Sequence, residues 1–341
     1  MGARVCAKAA ARPRGWNSWR WQMAHAATAP EGAAALRVAE RYPFFAVPYA
    51  LELAAKCPEF ALQTFPDARE LADAATGQAD PFSENGAASA TPGMKHRYPD
   101  RVLVMASCAC AMRCRHCTRK GLLPGAGTIL EPGRLGRAVA WVRRHPAVRD
   151  VLVSGGDPLV LPDARVKEIV DAFAALPQID IVRVCTRAPC TLPMRVTPAL
   201  ARMLARPRKV WVNTHFNCAG EITPEAAAAC ARLVDAGIPV SCQTVLMKGV
   251  NDTPEKMLAL LRALTRIRVR PYYVFLCDPV AGVSHLRVSA AKARALEKTV
   301  AESIGGLSMP RFVADVPGAR RKIPLSSPEC AAALRERKLP L

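Results

Sequence analysis

From residue 101 the chain repeats one rhythm, a short run rich in Val, Ile and Leu followed by a helical stretch. The runs are RVLVMAS (Arg101 to Ser107), DVLVSGG (Asp150 to Gly156), DIVRVCT (Asp180 to Thr186), KVWVNTHF (Lys209 to Phe216), PVSCQTVL (Pro239 to Leu246) and RPYYVFLCD (Arg270 to Asp278). Runs of this length read as strands, and near-continuous apolar strands alternating with helices predict a parallel sheet covered by helices. The expectation is six βα units of an α/β barrel, which carry their chemistry at the C-terminal strand ends. Polar residues collect there: a cysteine cluster after the first run, SGGDP after the second, THFN in the fourth and CD at the end of the sixth.

Up to about residue 90 the pattern is helical with breaks. It ends in GQADPFSENGAASATPG (Gly77 to Gly93), whose small and polar residues read as a connector. GWNSWRWQ (Gly15 to Gln22), with three tryptophans at near-helical spacing, reads as a docking helix. The expected organisation is a helical region over 1–95, a barrel over 96–305 and a C-terminal segment over 306–341.

With 341 residues, 51% of them apolar, the chain can bury a sizeable core. No run approaches the roughly 18 apolar residues of a membrane span, and no secretory signal opens the chain, so a cytoplasmic protein with no membrane partner is expected. A net charge of +20 invites nucleic acid. That charge is spread along the chain, however, with no basic block interleaved with aromatics and no recognisable reading module, so no nucleic-acid partner is expected. Thirteen cysteines, an odd number scattered singly outside one cluster, suit reducing conditions and metal chemistry better than a disulfide framework.

The cluster is CACAMRCRHCTRK (Cys108 to Lys120). Structural zinc sites combine two ligand pairs across a loop, whereas these four cysteines share one short stretch. Cys110, Cys114 and Cys117 have CxxxCxxC spacing, which lets three thiolates hold three corners of a [4Fe-4S] cube and leaves the fourth iron for an external ligand. Cys108 stands outside the triplet. By itself SGGDP reads as an ordinary strand-to-loop turn.

CxxxCxxC after the first strand, with His116 before the last cysteine, resembles the radical S-adenosylmethionine (SAM) superfamily. The resemblance narrows in PGMKHRYPDRVL (Pro92 to Leu103), CRHCTRK (Cys114 to Lys120), RAPCTLPMRVTPAL (Arg187 to Leu200), NTHFN (Asn213 to Asn217) and PGARRKIPL (Pro317 to Leu325), which look like the lysine 2,3-aminomutase family. It implies a partial (βα)6 radical SAM barrel carrying a [4Fe-4S] cluster, SAM and pyridoxal phosphate (PLP). Cys110, Cys114 and Cys117 would hold the cluster. His116, Ser154, Gly155, Gly156, Asp157, His215 and Gln243 would surround SAM. Lys322 would condense with PLP, and Arg97, Tyr98 and Arg101 would bind its phosphate. Arg119 would take the amino acid carboxylate, and Asp278 and Asp315 the side-chain ammonium of lysine, which two carboxylates favour over glutamate. The implied reaction exchanges the amino group between C2 and C3 of L-lysine: hydrogen leaves C3, nitrogen migrates, and hydrogen returns to C2. An electron donor such as flavodoxin or ferredoxin is implied, and a homo-oligomer is left open.

The chain also departs from the family. Ala319, Arg320 and Arg321 stand where a glycine run is common, and Cys218 and Gly220 stand where other polar residues are usual, which leaves PLP geometry and a shifted substrate open. Longer members bind structural zinc through a cysteine-bearing tail. Here Thr253 occupies the contributing barrel position and the sequence ends at Leu341, so no zinc is expected. Alternative readings are an aminomutase for arginine or glutamate, the enzyme that isomerises lysine for elongation factor P, and a zinc- or RNA-binding protein with a structural cysteine loop.

Overall fold

The six apolar runs form consecutive strands of one sheet in the computed structural model, which describes residues 33–72, 77–82, 92–122, 130–316 and 318–336. The tryptophan-rich GWNSWRWQ lies outside the described residues, as does much of the connector. A short strand β1 (Met94–Tyr98) comes first. The six expected strands follow as β2 (Arg101–Ser107), β3 (Asp150–Gly155), β4 (Ile181–Cys185), β5 (Val210–His215), β6 (Val240–Leu246) and β7 (Arg270–Leu276). Two more, β8 (Arg311–Ala314) and β9 (Ile323–Pro324), complete a sheet ordered β1 to β9. Strands β2 to β8 run parallel, while β1 and β9 pair antiparallel at the two edges. The barrel is therefore open, its edge strands covered by short hairpin-like partners. The sheet also extends one parallel strand beyond the six units expected.

Burial along the strands alternates with period two. Val102, Val104, Val151, Val153, Val182, Val184 and Val212 are fully buried under the outer helices. The intervening side chains, among them Leu152, Ser154, Arg183, Cys185, His215, Gln243 and Phe275, line an interior cavity of about 410 Å³. Packing valines outward lets the inner face carry polar groups.

The helices between the strands begin where the sequence says they should. Thr197, Thr223 and Thr253 each accept a hydrogen bond from the third residue on, and each is followed by a proline at the first helical position. Thr253 thus caps the helix Pro254–Arg266. That helix, between β6 and β7, and the helices Ala290–Ala301 and Pro328–Glu336 after β7 bury Leu264, Leu296 and Leu334. Phe312, Ile323, Leu325 and Cys330 join Leu246, Val274 and Leu276 in one apolar cluster, so the segment after residue 305 packs onto the last barrel strands.

At the other end of the chain, Ala33–Arg41, Pro48–Lys56, Pro58–Thr64 and Arg69–Ala72 are helices, the second and third separated at Cys57 by Pro58. They lie against the mouth of the barrel: Val47 N–H donates to the Ala111 carbonyl (2.9 Å), Arg113 N–H to Phe45 (2.8 Å) and Arg115 N–H to Gln63 (2.8 Å). Among the described residues no helix is long and apolar enough to cross a membrane.

Candidate active site

The cysteine loop leaves β2 and is fixed from three sides. From β3, Gly156 N–H donates to the Ser107 carbonyl (2.6 Å) and Asp157 N–H to Ala109 (2.8 Å). This approach demands glycine, because a Cβ on Gly155 would stand 2.4 Å from the Ser107 oxygen and one on Gly156 would stand 2.3 Å from the Ala109 oxygen. From the N-terminal helices, fully buried Glu70 pairs with Arg115 (2.5 Å) and with Lys120 (2.5 Å), whose ammonium also donates to the Gly282 carbonyl (2.8 Å). Burial alone would raise the Glu70 carboxyl, but the charges and hydrogen bonds of Arg115 and Lys120 hold it below its ordinary value. Lys120 is pushed down to about 8, by burial first and then by Arg115. From β4, Arg187 reaches the loop as described below.

Cys110, Cys114 and Cys117 all line the cavity, as does Cys108. Burial, followed by the charges of Asp157 and the other two cysteines, pushes the Cys110 thiol well above its usual range. Among the described residues no three His, Cys, Asp or Glu side chains gather tightly enough to hold a single metal ion. A [4Fe-4S] cube spaces its thiolates farther apart than one zinc would.

Beside this loop, His116 and His215 meet edge to face with ring centroids 5.4 Å apart. Burial is the main reason both imidazoles are neutral, with His116 driven well below its usual range and His215 to about 3. His215 Nε2 meets Asn217 Oδ1 at 2.9 Å, whereas neither ring nitrogen of His116 has a partner among the described residues. Gln243 stands opposite His215 on the neighbouring strand. Ser154, Gly155 and Gly156 border the same space. Asp157 borders it too, but its carboxylate is fully engaged by Thr186 Oγ1 (2.6 Å), Arg187 N–H (2.7 Å) and Leu159 N–H (2.9 Å), which makes it a brace between β3 and β4.

Across the cavity, Lys322 Nζ lies 3.4 Å from Asp315 Oδ2 and over the rings of Tyr98 (5.3 Å) and Phe275 (5.5 Å). Arg97, expected at a phosphate, instead spends its fork on the loop before Lys322. It donates to Asp315 Oδ1 (2.8 Å) and to the carbonyls of Val316 (2.8 Å) and Ala319 (3.1 Å). This clamp, with an Arg321–Glu329 ion pair, fixes the loop in which Ala319, Arg320 and Arg321 replace a glycine run. Arg101 stacks over Tyr98 (4.5 Å), whose buried hydroxyl has no partner among the described residues. Asp278, at the end of β7, is pushed up to about 8 by burial and then by Asp315. Arg119 donates to the Gly155 carbonyl (3.1 Å), between the two halves of the cavity.

Cys218 and Gly220 are not among the cavity residues. Gly220 makes room for Cys57, whose sulfur would lie 2.7 Å from a Cβ there, and Cys57 Sγ meets Cys218 Sγ at 3.7 Å. These departures pack the N-terminal helices against the barrel.

Sequence reasoning missed the buried polar group beneath the cysteine loop. Arg187 Nη1 donates to Cys114 Sγ (2.8 Å) and Nη2 to Gln63 Oε1 (2.7 Å), with Glu221 Oε1 at 3.3 Å. Arg187 heads the quoted motif RAPCTLP, but nothing in its spacing points to a cysteine 73 residues earlier.

Comparison with known proteins agrees with this geometry. The Radical SAM superfamily model matches residues 104–261. An L-lysine 2,3-aminomutase from Fusobacterium nucleatum subsp. nucleatum is 36% identical over 91% of this chain and 76% of its own length. One from Clostridium subterminale is 38% identical over 91% and 78%. A glutamate 2,3-aminomutase from Clostridioides difficile is 31% identical over 91% and 76%. Cysteine loop, open parallel barrel and sequence likeness converge, and the chain belongs to the lysine 2,3-aminomutase family of radical SAM isomerases.

Proposed function

We propose that the chain interconverts L-lysine and β-lysine. The observation that carries the substrate is the pairing of Asp278 and Asp315 at one end of the cavity beside Lys322. The Asp315 carboxylate attracts a cationic side chain and Asp278 can ionise to meet it, whereas a glutamate side chain gains no such pairing, so lysine is favoured over the substrate of the glutamate relative.

Family membership implies a [4Fe-4S] cluster, SAM and PLP, and the residues fit all three. Three thiols share one cavity wall, His116 presents two unpartnered nitrogens, and the orphaned Tyr98 hydroxyl faces the cavity beside Arg101. Cys110, Cys114 and Cys117 would hold the cluster, and His116, His215, Gln243 and the Ser154–Gly156 strand end would hold SAM. Tyr98 and Arg101 would hold the PLP phosphate and Lys322 its aldehyde. When bound, these groups supply a hydrogen-abstracting radical and a π-system across which nitrogen can move.

The chain's own residues set the geometry. Arg119, placed between the two halves, offers a planar fork to the substrate carboxylate. Asp315 already holds the Lys322 ammonium, and the substrate's ammonium would take the same place when Lys322 is engaged elsewhere. Asp278 keeps its proton near neutral pH until that cation arrives. Tyr98, Tyr273 and Phe275 line the cavity with rings that limit water. His116 and His215 are uncharged and offer hydrogen bonds without competing for a proton.

The reading includes a cytoplasmic setting and a low-potential electron donor of the flavodoxin or ferredoxin class. Its test is anaerobic incubation of the reconstituted protein with SAM, PLP and lysine, arginine or glutamate, followed by chromatographic identification of β-amino products. β-Lysine as the main product is expected. β-Glutamate as the main product would refute the assignment.

A further inference from the structure

The reaction asks the cluster to accept an electron at low potential, and the protein around the cysteines decides how low. The side-chain contact at Cys114 is cationic: Arg187 Nη1 donates to its Sγ at 2.8 Å. Arg187 is 8% exposed, and its position is overdetermined. Its backbone N–H is held by Asp157 (2.7 Å), its Nη2 by Gln63 (2.7 Å), and its guanidinium lies over the Phe60 ring at 5.6 Å. A residue placed only to neutralise a buried acid would turn its fork fully onto that acid. Arg187 divides itself, with Glu221 Oε1 the more distant partner at 3.3 Å.

Glu221 is equally well fixed. Its fully buried carboxylate accepts from Gln63 Nε2 (2.7 Å), Asn217 N–H (2.9 Å) and the thiols of Cys190 (3.4 Å) and Cys218 (3.6 Å). The triad Cys114–Arg187–Glu221 therefore places one cation between two anionic positions in a low-dielectric interior, where such charges act strongly.

We infer that Arg187 is a positioning residue that raises the reduction potential of the cluster through Cys114, and that Glu221 limits the rise. The inference rests on the reading that Cys110, Cys114 and Cys117 hold the cluster. One electron from a low-potential donor takes [4Fe-4S] from 2+ to 1+, which with three thiolates deepens the net charge of the site from −1 to −2. A guanidinium donating to one sulfur stabilises the more negative state, as hydrogen bonds and local charge do at iron–sulfur sites generally. Glu221, at the far side of the same guanidinium, opposes that effect.

The two charges make opposite predictions, which damage to the fold would not. The experiment is an anaerobic redox titration of the reconstituted holoprotein, poised with dithionite and mediators and followed by the electron paramagnetic resonance signal of the reduced cluster. Iron is measured on each sample. Arg187→Gln should lower the ratio of reduced to oxidised cluster about tenfold at a fixed poise, a shift of about 59 mV to more negative potential for a one-electron couple. Glu221→Gln should shift the potential the other way. Arg187→Lys, which keeps the charge but loses the planar fork, should fall between wild type and Arg187→Gln.

Shifts of opposite sign in Arg187→Gln and Glu221→Gln, with iron retained, support the inference. Equal potentials in the three proteins, or shifts of the same sign, overturn it. Should Arg187→Gln fail to fold, Glu221→Gln and Arg187→Lys decide the matter, and no positive shift in the former overturns the inference. If Cys114→Ala keeps its full iron, the cluster assignment itself has failed and this inference goes with it. Unchanged potentials with Cys114-dependent iron reject Arg187 alone.

Discussion

Replacing Asp278 by asparagine should abolish a pH dependence that this carboxyl imposes on lysine binding. Asp278 borders the cavity yet lies deep in the protein, where burial and then the Asp315 charge push its carboxyl up to about 8 against the opposing pull of Lys322, Arg97 and Arg287. At pH 7 the ligand-free protein therefore keeps Asp278 protonated, and a substrate ammonium that pairs with it must displace that proton. Ionisation one pH step below the pKa costs about 1.4 kcal/mol, a tenfold loss of affinity. The KM for lysine should accordingly fall about fivefold from pH 7 to 8, about tenfold by pH 9, and level off there.

Asp278→Asn has no proton to lose, so its KM should be flat over this range. At pH 8.5 it should be roughly ten- to hundred-fold above wild type, the scale of a lost charge-assisted contact worth about 1.5–3 kcal/mol. The same carboxyl makes a second prediction through linkage. Its folded pKa exceeds the unfolded value of about 3.9, so its contribution to stability is fully present below pH 4 and lost as pH rises through 8. Thermal midpoints of the ligand-free variant should therefore decline less than wild type over that interval. The kinetic assay is the initial rate of β-lysine formation from pH 6 to 9 at fixed SAM and PLP. A wild-type KM that is flat below pH 8, or a variant that keeps the wild-type slope, would refute the reasoning.

Other consequences follow from the same contacts. Glu70→Ala leaves Arg115 and Lys120 buried without their anion and should cost about 3–5 kcal/mol, read as a large fall in thermal midpoint, while Arg149→Ala at the exposed Asp180 pair should leave the midpoint unchanged. Gly156→Ala drives a Cβ to 2.3 Å from the Ala109 oxygen, so the cysteine loop must shift, with destabilisation of about 1–3 kcal/mol and loss of iron on reconstitution. Cys114→Ala should lose its iron, whereas Cys108→Ala should retain it. Borohydride reduction of the PLP-loaded protein followed by peptide mass mapping should place the phosphopyridoxyl mass on Lys322.

The strands were legible because their outward positions are valines and because Thr-Pro pairs open three of the helices that follow. β8 was not, since Phe312, Val313 and Ala314 are all buried and show neither alternation nor helical period. The CxxxCxxC triplet stands out by its spacing, whereas Lys322, Asp278 and Asp315 were pointed to only by the family resemblance. The glycines of SGGDP were read as room for a ligand, and the structure gives them a second cause, close contact with the backbone of the cysteine loop. The resemblance put Arg97 at the phosphate, and nothing in the strand entry signals the Asp315 loop, 218 residues later, to which it donates here. Glu70 in the short helical stretch RELA resembles any solvated acid until the chain brings Arg115 and Lys120 onto it. Arg187 likewise gains its meaning only from packing. Pairings made by the fold rather than by local spacing leave no periodic trace in a single sequence.

The central claim, exchange of the amino group between C2 and C3 of lysine, is tested most directly by following hydrogen. Lysine carrying deuterium at C3 is converted anaerobically by the reconstituted protein and the product is examined by mass spectrometry and nuclear magnetic resonance. The account predicts β-lysine with its amino group on C3 and with deuterium delivered to C2. Recovery of lysine alone, or a β-amino product with all of its deuterium still on C3, would contradict it.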